Sequence, residues 1–229
     1  MKPKKLILPA VLCGAVIGVQ AANIGFDAII GKFPGLALDQ SLVGHRGLLA
    51  VGVAVWGLFG VYWEIAAKNA AVAKSSESPR SRALHVVLVN VALILEIVPI
   101  RGLGRFLPAS SAIMAAGIAV EAIGLFLAIW ARRHLGRNWS GEISIKEAHQ
   151  LIRSGPYRRL RHPIYTGLLS MYLGMALVTG EWLAAIGLAL AVFSYWRKIR
   201  LEEVNLEVAF GDNYDDYRRT SWALVPGLF

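Results

Sequence analysis

SGPYRRLRHPIYTG, residues 154–167, lies between two apolar stretches, 109–131 and 164–179. It joins a Gly-Pro turn, a run of arginines and a His-Pro helix start at the edge of a segment suited to lipid. Ionisable side chains are costly beside a bilayer, so a cluster of them marks binding or chemistry more often than packing. Downstream, Glu202 and Glu203 follow the last apolar segment, 182–199. The two clusters together place a polar site at one face of a membrane.

The rest of the chain fits that setting. Mean hydropathy is +0.53, and only 17% of the 229 residues are charged, well below a soluble average. Spans of about 20 apolar residues cross a bilayer as helices. Six segments qualify as candidates: 6–30, 48–67, 83–100, 109–131, 164–179 and 182–199. The last two are short and separated only by Gly180 and Glu181, the pattern of a tight helical hairpin. The fold class expected is therefore all-α, a polytopic membrane helical bundle of about six transmembrane helices. Residues 1–131 form its N-terminal apolar part, and 132–229 carry the polar chemistry in a cytoplasmic loop, the hairpin and a C-terminal helix.

Most of the 24 Lys and Arg residues fall in the N-terminus, in 68–82, in 132–161 and after residue 196, which a six-crossing topology puts on one side. The other side keeps Lys32, Arg46, Arg101 and Arg105. Basic loops stay cytoplasmic, so both termini are expected there, in an integral membrane protein assigned to a bacterial inner membrane. The net charge of +9 follows from this bias and from attraction to anionic headgroups, so no nucleic-acid partner is inferred. Lys4-Lys5 and the apolar run after them resemble a secretory signal. Cleavage near Ala21 would place the basic loops outside, so the segment is read as a retained anchor. Cys13 is the only cysteine, so no disulfide forms within the chain.

Glu64, Glu96 and Glu121 sit in or near apolar segments. Glu121 is the most central, either a buried hydrogen-bonded carboxyl or part of a pocket. At 162–165, Pro163 suits the first position of a helix, where its missing N–H is no loss. His162 then falls at the cap, and Tyr165, three residues on, shares its face. The free N–H groups of such a first turn attract an anion. Glu202 and Glu203 suit acid-base work or hydrogen bonds from hydroxyl or ammonium groups. No second ligand cluster with zinc-like spacing accompanies them, so no metal is assigned.

The order of five motifs closely resembles the isoprenylcysteine carboxyl methyltransferase family and its bacterial relatives. They are LGRNWSG at 135–141, HQLIRSGPYRRLRHPIYTG at 149–167, the pair at 202–203, FGDNYDDY at 210–217 and Pro226. The resemblance covers 135–229 and implies methyl transfer from S-adenosylmethionine, most simply to a carboxylate oxygen, at the cytoplasmic face. The implied acceptor is a lipophilic small molecule or prenylated chain reached from the lipid bilayer. Carried over residue by residue, the resemblance implies cofactor binding by His149, Gln150, Leu151, Ile152, Tyr157, His162, Pro163, Ile164, Tyr165 and Glu202. Ile152 stands where Val is usual. The family also places an Arg near the Glu pair to orient the substrate. Lys198 occupies that position here, with Arg197 and Arg200 beside it, and Arg200 is the choice. Glu203 is assigned the catalytic role needed if the acceptor must lose a proton. Two alternatives are an NADPH-dependent membrane reductase of the sterol-reductase type and a non-catalytic membrane protein. The reductases share the Arg-His-Pro-x-Tyr start but typically show Asn after the Pro and an acidic residue shortly after the Gly. This chain has Ile164 and Leu168 there.

Overall fold

Helices account for nearly all of the ordered architecture in the computed structural model, which describes residues 40–68, 74–75, 77–97, 103–139, 144–145 and 151–227. A short helix α1 (Gln40–Val43) precedes α2 (Arg46–Ala67). There follow α3 (Pro79–Ile97), α4 (Ser111–Leu135), α5 (Pro163–Thr179), α6 (Trp182–Phe210) and α7 (Asp212–Arg219). Two residues of each connecting loop, β1 (Lys74–Ser75) and β2 (Ser144–Ile145), pair antiparallel, with Lys74 opposite Ile145. This small ribbon is an addition to the all-α expectation.

The count of six crossings is corrected to three among the described residues. Helices α2, α4 and α6 are long and apolar enough to cross a membrane. Segment 6–30, which includes Cys13, lies outside the described residues. Segment 83–100 forms α3, but that helix opens with Arg80 and Arg82 and carries His85, Asn90 and Glu96. Segment 164–179 forms α5, which has only 17 residues. Protein surrounds most of it: Met171, Met175 and Val178 have no exposed surface, while Leu173 faces outward.

Backbone contact explains how α5 is held. Gly117 and Gly124 of α4 face Gly174 and Gly167 of α5 so closely that an added Cβ on any of them would lie 2.5–2.6 Å from a carbonyl oxygen of the other helix. Small residues permit this approach where lipid supplies no hydrophobic drive. Gly187 does the same for α6 against the Ala92 carbonyl of α3, at 2.6 Å.

The 180–181 hairpin forms as expected. Gly180 adopts φ 63° at the end of α5, a conformation open to glycine, and its carbonyl accepts from the N–H groups of Phe106 and Leu107 at 2.9 and 3.2 Å. Helix α6 has 29 residues, about 43 Å at 1.5 Å per residue. That exceeds the roughly 30 Å of a bilayer's hydrocarbon core. Its excess length carries Glu202 and Glu203 past the apolar run. Gly211, at φ 50°, then stops the helix. Large apolar side chains face outward, among them Leu58 on α2, Ile123 and Phe126 on α4 and Phe193 on α6, as suits helices long and apolar enough to cross a membrane.

Glu121 is completely buried. Its side chain lies against Gly52 of α2 and Gly174 of α5. Neither its carboxyl oxygens nor those of buried Glu96 find a hydrogen-bond partner among the described residues.

Candidate active site

The loop before α5 is shaped by one glycine. Gly155 has φ 59°, and a Cβ there would lie 2.7 Å from the His134 ring. The tight turn Gly155–Arg158 buries Tyr157, whose ring stacks on His134 with centroids 6.4 Å apart. His134 also contacts the Ser154 hydroxyl at 2.9 Å.

Pro163 opens α5 at its first position, with His162 at the cap and no side-chain cap bond. The rings of His162 and Tyr165 lie nearly parallel, 5.6 Å apart. Helix α6 passes beside them. The Tyr165 hydroxyl donates a short hydrogen bond to Glu202 Oε1. His162 Nδ1 stands 3.4 Å from Glu202 Oε2, and its Nε2 stands 3.4 Å from Glu203 Oε1. Both contacts are longer than an ordinary hydrogen bond, and buried Nε2 has no hydrogen-bond partner among the described residues.

Cations surround the pair. Arg161 Nε donates to Glu203 Oε1 at 2.7 Å, and the Arg161 guanidinium also donates to the carbonyls of Arg218 and Ser221. Lys198, one turn before Glu202, is buried and interacts electrostatically with it. Tyr195 packs against Tyr165 at 5.1 Å and against His85 of α3 at 5.2 Å. His85 Nδ1 in turn meets the Ser194 hydroxyl at 2.8 Å.

The C-terminal segment is zipped onto the loop. Arg161 and His162 donate their N–H groups to the carbonyls of Trp222 and Ala223 at 2.8 and 3.1 Å, and Trp222 donates to the Arg159 carbonyl at 3.0 Å. The Thr166 hydroxyl donates to the Leu224 carbonyl at 2.8 Å. Tyr217 of α7, buried, donates to the carbonyls of Tyr157 and Leu160.

Burial alone would lower the His162 pKa, but Glu202 and Glu203 outweigh it and hold the imidazole above its ordinary 6.5. Burial, reinforced by the charge of Glu202, pushes the Tyr157 phenol well up. Burial likewise pushes Tyr217 up to about 12 against the pull of Arg161 and Arg153. Both phenols therefore stay protonated donors at neutral pH.

Of the residues singled out in the sequence, His162, Tyr165, Glu202 and Glu203 meet in one cluster, with Pro163 and Ile164 buried beneath it. Tyr157 is buried in the adjoining turn. Leu151 and Ile152 are half-buried, and Ile152 packs on the core. His149 and Gln150 lie outside the described residues. Arg200 stands apart: it is exposed, with its guanidinium 6.0 Å from the Trp196 ring. Arg161, Lys198, Tyr195 and His85 are members that spacing did not assign. Arg161 lies within the 154–167 motif and was open to notice. His85 comes from another helix, and no local signal points to it. No group of three or more His, Cys, Asp or Glu among the described residues is arranged to hold a metal.

The family profile for phospholipid methyltransferases matches residues 112–213, from α4 into α7. The protein-S-isoprenylcysteine O-methyltransferase of Schizosaccharomyces pombe is 28% identical over 107 residues, 45% of this chain and 45% of that protein. The chain is similar to the isoprenylcysteine methyltransferases. An Arabidopsis thaliana protein-S-isoprenylcysteine O-methyltransferase, B, is 30% identical over 113 residues, 48% of this chain and 57% of its own length. The chain thus spans about half the length of these curated relatives. A solved isoprenylcysteine carboxyl methyltransferase, a eukaryotic intramembrane Ras methyltransferase, superposes with a TM-score of 0.55 over 94% of this chain and 73% of its own, at 17% identity. At that identity the likeness is one of fold, and it supports an integral, multi-pass membrane protein. These relatives are eukaryotic, so a bacterial-type grouping and a bacterial inner membrane draw no support from them.

Proposed function

We propose that this chain is an S-adenosylmethionine-dependent methyltransferase acting on a lipophilic acceptor, an isoprenylcysteine-type carboxylate or a related small molecule, at the cytoplasmic face of its membrane. The observation that carries this reading is the cluster of His162, Tyr165, Glu202 and Glu203 where α5 begins and α6 leaves its apolar run. Similarity to the isoprenylcysteine methyltransferases supports the reaction class.

The residues present fit the cofactor. Buried His162 Nε2 has only the 3.4 Å contact with Glu203 Oε1 and no hydrogen bond among the described residues. The N–H groups of the first turn of α5 receive no side-chain cap and suit the carboxylate of an amino acid. Glu202 is placed to accept from ribose hydroxyls, with Leu151, Ile152 and Tyr157 supplying a wall for adenine; His149 and Gln150 belong to the same proposed strip. When bound, the cofactor supplies an electrophilic methyl group on a sulfonium whose departing thioether is uncharged.

The protein's own task is alignment and exclusion of water. The zipped C-terminal segment and buried Tyr157, Tyr214 and Tyr217 close the polar side. The acceptor carboxylate needs a cation to orient it. Lys198, buried beside Glu202, suits that role better than exposed Arg200. A carboxylate acceptor has no proton to lose, so Glu203 serves there by holding His162 and Arg161, with proton removal reserved for a thiol or amine acceptor.

The deciding experiment is calorimetry on detergent-purified protein with S-adenosylmethionine and, separately, NADPH. Saturable binding of S-adenosylmethionine alone is expected. Binding of NADPH alone moves the chain to the reductases, and binding of neither favours a non-catalytic role.

A further inference from the structure

The outward face of α4 carries a site outside the cluster. Phe126, Ile129, Trp130, Arg133 and His134 recur at three- and four-residue steps, a single helix stripe, and line a cavity of about 340 Å³. One end is apolar and bare: Phe126 is 68% and Trp130 45% exposed, with ring centroids 6.3 Å apart. The other end lies in the last turn of the helix, where Arg132, Arg133 and His134 follow one another.

The two arginines there have different employment. Arg132 is buried, donates to the carbonyls of Ala66 and Gly136, and lies 4.3 Å over the Trp139 ring. Arg133 is exposed and has no hydrogen-bond or ion-pair partner among the described residues. His134, closing that end, is held by Ser154 and Tyr157.

We propose that this groove binds one anionic phospholipid, its phosphate on Arg133 and an acyl chain over Trp130 and Phe126. Charge complementarity commits the occupant. A packed helix would meet an apolar stripe along its whole length, whereas this one ends in a free guanidinium. The seven residue steps from Phe126 to Arg133 span about 10 Å at 1.5 Å each, the separation of a headgroup phosphate from the upper acyl chain. Aromatic rings with a cation at the helix end form the usual anchor at the membrane boundary. A filled groove also braces His134, and through it the turn bearing Tyr157.

The test uses the full chain in nanodiscs of phosphatidylcholine alone or mixed with phosphatidylglycerol, with retained lipid counted by native mass spectrometry. Phosphatidylglycerol should be retained about fivefold over phosphatidylcholine, the preference one interfacial cation supplies. Arg133→Gln should abolish that preference, and Arg133→Lys should keep most of it. Phosphatidylglycerol should also raise the Tm of the parent but not of Arg133→Gln. Equal retention of the two lipids overturns the proposal, as does undiminished preference in Arg133→Gln. Retention of neither lipid overturns it too. None of these outcomes depends on methyl transfer.

Discussion

Gly124 of α4 and Gly167 of α5 press backbone against backbone: a Cβ on Gly167 would lie 2.5 Å from the Gly124 carbonyl oxygen, and the reverse contact is the same. Gly167 also closes the SGPYRRLRHPIYTG stretch, so the contact that seats α5 is two residues from Tyr165, the donor to Glu202.

Gly167→Ala should therefore destabilise the bundle by about 1–3 kcal/mol, the usual range for overpacking, seen as a fall in Tm in detergent. Gly47→Ala, where nothing lies within 4 Å, is the control and should hold or slightly raise Tm, as alanine does at an open helical position. Equal Tm values for the two variants would show that the helices separate at little cost.

Glu202 accepts from Tyr165 and faces His162, so its loss is felt twice. Glu202→Gln should weaken S-adenosylmethionine binding by at least about tenfold, since hydrogen bonds to a charged acceptor are the strong ones. Tyr165→Phe keeps the ring stack and should cost less. Calorimetric affinities in this order are expected; a larger loss for Tyr165→Phe contradicts the proposed ribose contact.

Arg161 and Arg200 separate cleanly. Arg161 joins Glu203 to the carbonyls of Arg218 and Ser221, so Arg161→Ala should free the C-terminal segment and speed limited proteolysis after residue 217. Arg200→Ala, at an exposed position, should change neither proteolysis nor cofactor affinity. A strong loss of turnover in Arg200→Ala would restore that residue as the one that orients the acceptor.

His162 sets a pH dependence. Its pKa is raised above 6.5 in the folded protein, and a raised value means the folded state holds the proton more tightly than the unfolded one. The resulting stability is complete below 6.5 and is lost as pH climbs through the folded value. The Tm gap between the parent and His162→Gln should thus be widest near about pH 6 and shrink on the alkaline side. A gap that widens with pH would mean that His162 is buried neutral.

Among the described residues Glu121 has no charged partner to lose, and it fills space against Gly174. Glu121→Gln, nearly the same shape, should shift Tm little, while Glu121→Ala should cost about 2–4 kcal/mol through the cavity it leaves. Comparable losses in the two variants would instead assign the carboxyl a specific partner.

Much of this was legible in the chain. Apolar run length marked α2, α4 and α6, and Gly180-Glu181 marked the hairpin, because backbone economy in lipid leaves a long apolar segment no choice but helix. Pro163 fixed the start of α5 and so put His162 and Tyr165 on one face, a local consequence of helix geometry. The shortness of 164–179 pointed to partial burial in protein, but which helices cover α5 is a property of its neighbours; the polar residues of α3, Arg80, Arg82, His85, Asn90 and Glu96, stood in the sequence and were outweighed there by its apolar run. The glycines that seat α5 read only as small residues until their partners were placed.

The cluster divides the same way. The residue types and their order were written in the sequence, and the family likeness with them. Which cation faces the carboxylates was decided by tertiary structure: the rotation of α6 buries Lys198 beside Glu202 and turns Arg200 outward, and the bend before α5 brings Arg161 to Glu203. His85 joins from a helix far upstream. Helical periodicity is local and can be counted along one chain segment, whereas the rotation of one helix against another is set by packing among all of them.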